Sequence, residues 1–242
     1  MRRASSPPAA DGRSTPTGKI AGRSVCVFCA SAGGLPEVHR SAAHDLGREL
    51  AERGHRLVYG GGNVGLMGEL ARAVHEHGGT VVGVIPQGLV DRELAYDPAD
   101  ELLITETLRE RKAEMDARAD AFVALPGGFG TLEELLEVLT LRQLRLHDRP
   151  IVLVNVAGYW DPFLAMVSEM VAQGFAPLGE GALFQVAKTA AEALDLAEAG
   201  PAPIAGRFDG RGAPLPEAAV EDWTATPGDP PPRRAGDATV ER

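Results

Sequence analysis

Short apolar runs alternate with segments of helical periodicity through the middle of the chain. The apolar runs, each bounded by glycine, proline or polar residues, fall at residues 24–29, 56–59, 80–85, 102–105, 121–125, 150–155 and 184–187. A short run that is apolar at nearly every position is typical of a strand buried on both faces of a parallel sheet. The chain is therefore predicted to form an α/β fold, a single-domain doubly wound parallel sheet of the Rossmann-like kind.

Helical spacing separates these runs. Ala43, Leu46 and Leu50 recur three and four positions apart and predict a first helix that closes at Gly54. The leucines between positions 132 and 139 predict another helix, which is expected to begin near Thr131. Further helices are predicted at residues 107–119, 160–173 and 190–199.

The two ends of the chain differ in composition from the middle. Residues 1–20 mix Arg, Ser, Pro, Gly and Thr without apolar periodicity, and eight prolines fall beyond Gly200. Segments of this composition bury too little apolar surface to fold. We predict a disordered segment at residues 1–20, a folded Rossmann-like domain at residues 21–199 and a Pro/Gly-rich disordered tail at residues 200–242.

Net charge and hydropathy narrow the class of protein. The formal charge of −10 argues against a general nucleic-acid binder, because a phosphate backbone is bound by a basic surface. A small anionic ligand held by local donors is compatible with this charge. No apolar stretch approaches the roughly 20 residues of a membrane span, and the N-terminus lacks the apolar segment of a signal peptide. We expect a cytoplasmic protein that binds neither nucleic acid nor membrane.

The two cysteines, Cys26 and Cys29, have the spacing of a redox or zinc motif. Both lie in the first apolar run, where residues three apart point to opposite faces of a strand. No second pair exists to complete a zinc site. We expect both cysteines to be reduced, and no metal site.

A glycine-rich stretch, PGGFGTLEE at residues 126–134, joins the predicted strand at residues 121–125 to the following helix. Glycine permits backbone angles closed to other residues and lets a ligand approach the chain. The unpaired N–H groups at a helix start, together with the helix dipole, attract phosphate. Glu134, about 4.5 Å along the axis from Thr131 at roughly 1.5 Å per residue, suits a cation forming on the sugar attached to that phosphate.

The same stretch has a purely structural interpretation. Thr131 and Glu134 have the spacing of a capping box, in which the threonine caps the helix and the glutamate bonds back to the cap residue's N–H group. A cap does not require the preceding run of glycines, which favours the functional interpretation.

A second glycine loop satisfies the Gly-x-Gly-x-x-Gly pattern at Gly60, Gly62 and Gly65, between a predicted strand and a helix. A nicotinamide-binding protein would carry an acid at the end of the next strand, and this chain has Pro86 and Gln87 there. The loop therefore indicates a nucleotide-binding surface without a dinucleotide; the alternative is close packing of helix and strand by glycine. The candidate nucleotide contacts in this loop are Gly61 and Gly62. A further candidate contact, Ser31, lies in the small-residue loop at residues 30–34.

The predicted helix at residues 107–119 carries three cations, Arg109, Arg111 and Lys112. Such a group usually faces solvent and forms ion pairs along its own helix. The functional alternative is that Arg111 faces the phosphate site, because its helix immediately precedes the strand that leads to residues 126–134.

Three segments together, YGGGNVGLMG at residues 59–68, ERKAEM at residues 110–115 and PGGFGTLEE at residues 126–134, resemble the Lonely Guy (LOG) family. Members of this family are cytokinin riboside 5′-monophosphate phosphoribohydrolases, long labelled lysine decarboxylases. The resemblance covers about residues 22–190. It implies a hydrolase that cleaves the N-glycosidic bond of AMP, or of N6-prenylated AMP, to ribose 5-phosphate and free adenine or cytokinin. It also implies a homodimer with its site near the interface, and no cofactor or metal.

The resemblance further implies roles for particular residues. Arg111 and Glu134 match the catalytic pair of the family. The residues that match its substrate contacts are Glu93, Lys112, Gly128, Phe129, Gly130, Thr131, Leu132, Glu133 and Thr140. The chain departs from plant-type members at Leu141 and Arg142, where they carry Trp-Ala, so the base pocket is expected to differ in shape.

The chemistry of the reaction agrees with this pair. Cleavage of a glycosidic bond builds positive charge on the sugar, which a fixed carboxylate such as Glu134 stabilises. Arg111 would orient the phosphate or sugar and keep Glu134 ionised. Two alternatives stay open: a non-catalytic nucleotide or molybdenum-cofactor carrier, and a decarboxylase with pyridoxal phosphate on Lys112.

Overall fold

A computed structural model describes residues 22–90, 94–176 and 183–201. The disordered segment predicted at residues 1–20 and nearly all of the predicted tail lie outside the described residues. Within the described part of the chain, none of the helices combines the length and the apolar character that a membrane span requires.

Strands and helices alternate in the predicted order. The strands are β1 Ser24–Phe28, β2 Arg56–Tyr59, β3 Thr80–Pro86, β4 Glu101–Thr105, β5 Ala121–Ala124, β6 Ile151–Val154 and β7 Gln185–Ala187. The helices are α1 Glu37–Glu52, α2 Gly65–Glu76, α3 Gln87–Val90, α4 Leu108–Ala117, α5 Phe129–Gln143, α6 Asp161–Ala172 and α7 Ala190–Ala199, with a 3-10 turn at Val156–Gly158.

The strands form one parallel sheet in the order β4-β3-β2-β1-β5-β6-β7. The chain runs outward from β1 to β4 and then returns to place β5 on the other side of β1. This reversal between β1 and β5 opens a crevice at the carboxyl ends of the strands, the usual ligand position in such sheets. The predicted fold class, a doubly wound parallel sheet, is confirmed.

Alternate residues of the strands enter two separate cores. Val25 and Val27 of β1 pack with residues of α1, α2 and α7. Cys26 and Phe28 pack on the opposite face with residues of α4, α5 and α6. Cys29 belongs to the first core, so the two cysteines occupy opposite faces, and both are free and buried as expected.

Helix α5 begins two residues earlier than predicted. Its first residue is Phe129 and its N-cap is Gly128, not Thr131. Glycine 128 is in an extended conformation and supplies no side-chain cap. Leu136, one of the leucines used to predict this helix, lies on its exposed side, whereas Leu135 and Leu139 are buried.

The loops that follow β1, β2 and β5 meet above the carboxyl edge of the sheet. The Leu66 N–H group donates to the Ala30 carbonyl at 2.9 Å, and the Ala30 N–H group donates to the Pro126 carbonyl at 3.2 Å. Gly65 has φ +64, and a Cβ there would lie 2.4 Å from the Ala32 carbonyl oxygen. Glycine at this position is therefore required both by the backbone conformation and by the contact between loops.

Candidate active site

A buried ion pair joins helices α4 and α5 at this edge of the sheet. Arg111 Nη1 lies 3.1 Å from Glu134 Oε1, and the two side chains are 10% and 5% exposed. Removing one partner of such a pair leaves an uncompensated buried charge, so each group depends on the other for its position. The structure thus brings together the two residues predicted to form the catalytic pair.

Arg111 is held from two further directions. Its Nε donates to the Val84 carbonyl of β3 at 3.0 Å. Its Nη2 occupies the space beside Gly60: a Cβ added to Gly60 would lie 1.9 Å from this nitrogen, so a side chain at position 60 would clash with Arg111. Arg111 therefore faces the sheet edge, and the expectation of a solvent-facing helix applies only to the exposed Arg109.

Among the described helices, three start with or near a Thr-x-x-Glu pattern, and two of these use it as a cap. At α4 the Thr107 hydroxyl accepts from the Glu110 N–H group, and at α7 Thr189 does the same for Glu192. Both glutamates also accept from the residue before the threonine. In α5 the pattern lies inside the helix, so Glu134 is free of the capping role and turns to Arg111.

Burial dominates the protonation of Glu134. Desolvation raises its pKa from 4.5 to about 7, although Arg111 acts in the opposite direction. Arg111 therefore acts in the expected direction, towards the ionised form, but burial has the larger effect. A carboxyl group that titrates near neutral pH is able to exchange a proton with water or substrate under ordinary conditions.

This pKa has a consequence for stability. The fold favours the protonated form of Glu134, so the stability linked to this group is complete below pH 4.5 and is lost as pH rises through about 7. Glutamine does not ionise in this pH range. We therefore expect the free energy of unfolding of Glu134→Gln to rise by about 3 kcal/mol relative to that of wild type between pH 4.5 and pH 8. Urea unfolding of both proteins across this range measures the difference. A difference that is constant with pH would contradict the assigned burial.

Glu134 also lines a pocket of about 230 Å³ between α4 and α5. This volume is below the ~300–1,000 Å³ of a complete small-molecule site, so the pocket suits one part of a larger ligand. Two aromatic residues of the sheet lie at its base and charged residues at its rim. Its lining consists of Phe28, Arg109, Lys112, Ala113, Asp116, Phe122, Glu134, Glu137, Val138 and Leu141.

The start of α5 lies on the other side of Glu134. Gly128, Phe129 and Gly130 are exposed there, and the first N–H groups of a helix have no intrahelical acceptor. We call the N–H groups of residues 128–130 the phosphate seat. Thr131 does not face it, since its side chain is 3% exposed and a Cβ on Gly127 would lie 2.0 Å from Thr131 Oγ1.

The other predicted contact residues are distributed unevenly. Lys112 pairs with Glu133 and, at 2.9 Å, with Glu137, all beside the pocket. The Thr140 hydroxyl donates to the Leu136 carbonyl at 2.7 Å, and Thr140 is not among the pocket residues. Leu132 is half-buried against the core, Ser31 is exposed, Gly61 is buried, Gly62 is half-buried, and Glu93 lies outside the described residues.

Sequence reasoning missed most of the pocket. Its α4 residues are at positions 109, 112, 113 and 116, and its α5 residues at positions 134, 137, 138 and 141. In each set every residue has another three or four positions away, the spacing of one helix face. Counting three and four positions along the helices from Lys112 and Glu134 would therefore have identified them. Leu141, a point of departure from plant-type members, lines the pocket, whereas Arg142 is buried and donates to the Asp148 and Arg149 carbonyls.

Comparison with known proteins identifies relatives of this chain. A family described as "Possible lysine decarboxylase" matches residues 67–197. The chain is 52% identical over 153 residues to cytokinin riboside 5′-monophosphate phosphoribohydrolase LOG of Oryza sativa subsp. japonica, covering 63% of each chain. It is 50% identical over 172 residues to the probable enzyme LOGL5 of the same plant, covering 71% of this chain and 70% of that one.

Solved structures share the fold at lower identity. The molybdenum cofactor carrier protein of Chlamydomonas reinhardtii is 23% identical, with a TM-score of 0.56 over 74% of this chain and 97% of that chain. The molybdenum cofactor binding protein of Rippkaea orientalis is 18% identical, with a TM-score of 0.57 over 74% and 98%. At these identities the likeness concerns the fold alone. The matches to the plant proteins place the chain in a family: it belongs to the cytokinin riboside 5′-monophosphate phosphoribohydrolase (LOG) family.

Proposed function

We propose that the protein hydrolyses the N-glycosidic bond of AMP or N6-prenylated AMP, releasing ribose 5-phosphate and the free base. The observation that carries this proposal is the position of the buried Arg111–Glu134 pair between the phosphate seat and the α4–α5 pocket. The seat suits a 5′-phosphate and the pocket suits a base, and a nucleotide bound in this way would have its sugar at Glu134. The plant relatives are named for this activity.

Glu134 has two tasks in this reaction. As the bond from the anomeric carbon to the base nitrogen breaks, its electrons leave with the base and positive charge develops on the sugar. The ionised carboxylate stabilises that charge. Water then adds to the anomeric carbon and gives up a proton to Glu134. That proton passes from Glu134 to the base nitrogen, which releases the neutral base and restores the carboxylate.

Arg111 supports the same step without changing its own charge. Two of its nitrogens bond to Val84 and Glu134, so the guanidinium is fixed before substrate arrives. A fixed planar cation beside Glu134 would orient substrate oxygens with little loss of side-chain freedom. Arg111 also limits the rise in the pKa of Glu134, which keeps part of that carboxyl ionised at neutral pH.

One assay tests the proposal directly. Purified protein is incubated with AMP and, separately, with isopentenyl-AMP, and the products are separated by chromatography. We expect free adenine or free isopentenyladenine, together with an equal amount of ribose 5-phosphate. Binding of the nucleotide without release of any base would contradict the proposed hydrolysis and would support a non-catalytic carrier.

The decarboxylase label fits the site poorly. A Schiff-base lysine must lose its proton to react. Lys112 pairs with Glu133 and Glu137, and the hydrogen bond to Glu133 is the chief cause of its raised pKa. The amine is therefore stabilised in its unreactive, protonated form.

We also propose a cytoplasmic homodimer. Phe129 and Leu136 of α5 and its C-cap Leu144 are exposed at 92%, 44% and 57% and lie seven and eight residues apart, on one side of the helix. Large apolar side chains exposed on one side of a helix are typical of a surface that binds another protein. Light scattering in solution is expected to give twice the chain mass. The two reduced, buried cysteines fit a reducing compartment.

A further inference from the structure

The peptide between Gly127 and Gly128 carries the first donor of the phosphate seat, and its own residues do not determine its orientation. Neither residue has a Cβ, so this peptide can turn over at low cost. Gly128 is exposed, and a Cβ added there would meet nothing within 4 Å. A contact from outside the loop is needed to keep the Gly128 N–H group directed at a ligand.

Tyr159 supplies such a contact. Its hydroxyl donates a hydrogen bond to the Gly127 carbonyl oxygen. In a trans peptide the carbonyl and the following N–H group point in opposite directions. With the carbonyl bound to Tyr159, the Gly128 N–H group points away from Tyr159, and Gly128 itself is exposed at the start of α5.

The turn after β6 is built to present this tyrosine. Ala157 has φ 51 and Gly158 has φ 75, and the left-handed conformation is unfavourable for a residue that has a Cβ. The side chain of Asn155 closes the turn by donating to Asp161 Oδ1 at 2.7 Å and accepting from the Trp160 N–H group at 2.9 Å. The position of Tyr159 is therefore defined by a strained, hydrogen-bonded turn.

We propose that Tyr159 is a positioning residue for the phosphate seat, acting through the Gly127 carbonyl to keep the Gly128 N–H group directed at the substrate phosphate. This inference rests on the proposed function in one respect, that the phosphate binds at the start of α5. Tyr159 takes no part in bond cleavage.

The test compares the two halves of the substrate in Tyr159→Phe, which removes only the hydroxyl. We expect the affinity for ribose 5-phosphate, measured by calorimetry, to fall about three- to tenfold, the effect of one hydrogen bond. Affinity for adenine is expected to stay within twofold, because the base binds in the α4–α5 pocket. With AMP as substrate, KM is expected to rise by the same factor as the ribose 5-phosphate affinity falls, and kcat to change less.

His39→Leu is the matched control. The His39 ring packs edge-on against Tyr159, with ring centroids 6.0 Å apart, so this change alters the packing of the tyrosine and keeps its hydroxyl. We expect its ribose 5-phosphate affinity to match wild type. An equal loss in both variants would overturn the role of the hydroxyl, as would an unchanged affinity in Tyr159→Phe.

A measurement on the unaltered protein completes the test. Ribose 5-phosphate is expected to shift the NMR resonance of the Gly128 amide, and a bound ligand that leaves this resonance in place would overturn the inference even if Tyr159→Phe does not fold. Failure of the proposed function has a different signature. In that case wild-type protein binds ribose 5-phosphate with the Gly128 shift and releases no base from AMP.

Discussion

Replacing Glu134 by Gln is expected to stop base release and to leave nucleotide binding nearly intact. The amide keeps the size of the side chain and its ability to bond to Arg111, but it neither offsets positive charge on the sugar nor accepts a proton. We expect kcat to fall by about 10³-fold, the usual effect of losing one electrostatic or acid–base group. Release of adenine from AMP by chromatography gives the rate, and calorimetry with AMP gives the affinity.

Glu137→Gln is the matched control for this substitution. Glu137 lines the same pocket one turn further along α5, but its side chain is 45% exposed and pairs with Lys112. It is expected to keep kcat within about threefold of wild type, as a surface substitution away from the reacting atoms should. In wild type, kcat/KM is expected to rise with pH through about 7, because the ionised carboxylate is the active form and this parameter reports the pKa of the free enzyme. Parent activity in Glu134→Gln would refute the assigned role.

Replacing Arg111 by Ala is expected to reduce both binding and turnover. The change removes the bond to Val84 and leaves Glu134 buried without its cation. Since Arg111 lowers the pKa of Glu134, that pKa rises above about 7 when the arginine is removed, and less carboxylate is present at neutral pH. We expect kcat/KM for AMP to fall about 10³-fold and the midpoint of the pH–rate profile to move to higher pH.

Two further variants test whether the loss of activity is specific to Arg111 and whether it requires the planar guanidinium group. Arg109→Ala removes an exposed cation at the rim of the same pocket and is expected to change KM only slightly. Arg111→Lys keeps a positive charge but loses the planar group that reaches Val84 and Glu134 together, so we expect it to recover little activity. An Arg111→Ala protein whose pH midpoint equals that of wild type would contradict the electrostatic link between the pair.

The sequence alone supported the prediction of the sheet because the signals for it are local. Each buried strand is a short apolar run, and β2 and α7 have the predicted limits, residues 56–59 and 190–199. The positions of the glycine loops followed from the same pattern, since loops after parallel strands meet at one edge. The family followed from three motifs that lie within a single stretch of the chain, residues 59–134.

Tertiary contacts decided the roles of individual side chains. Thr107 and Thr189 cap their helices, whereas Thr131 lies inside α5, because that helix starts at Phe129 above the β5 loop. All three positions share the Thr-x-x-Glu pattern, so that pattern alone does not show which threonine caps its helix. The orientation of Tyr159 toward Gly127 likewise depends on a contact between residues 32 positions apart.

The protonation of Glu134 shows most clearly where sequence reasoning ends. A nearby arginine was expected to keep the carboxyl ionised, and the charge of Arg111 does act in that direction. Burial between α4, α5 and the sheet outweighs it, and burial depends on every element that surrounds the side chain. The order of apolar and polar residues thus determines which elements form, while desolvation, which sets the chemistry of the carboxyl, exists only once those elements have packed.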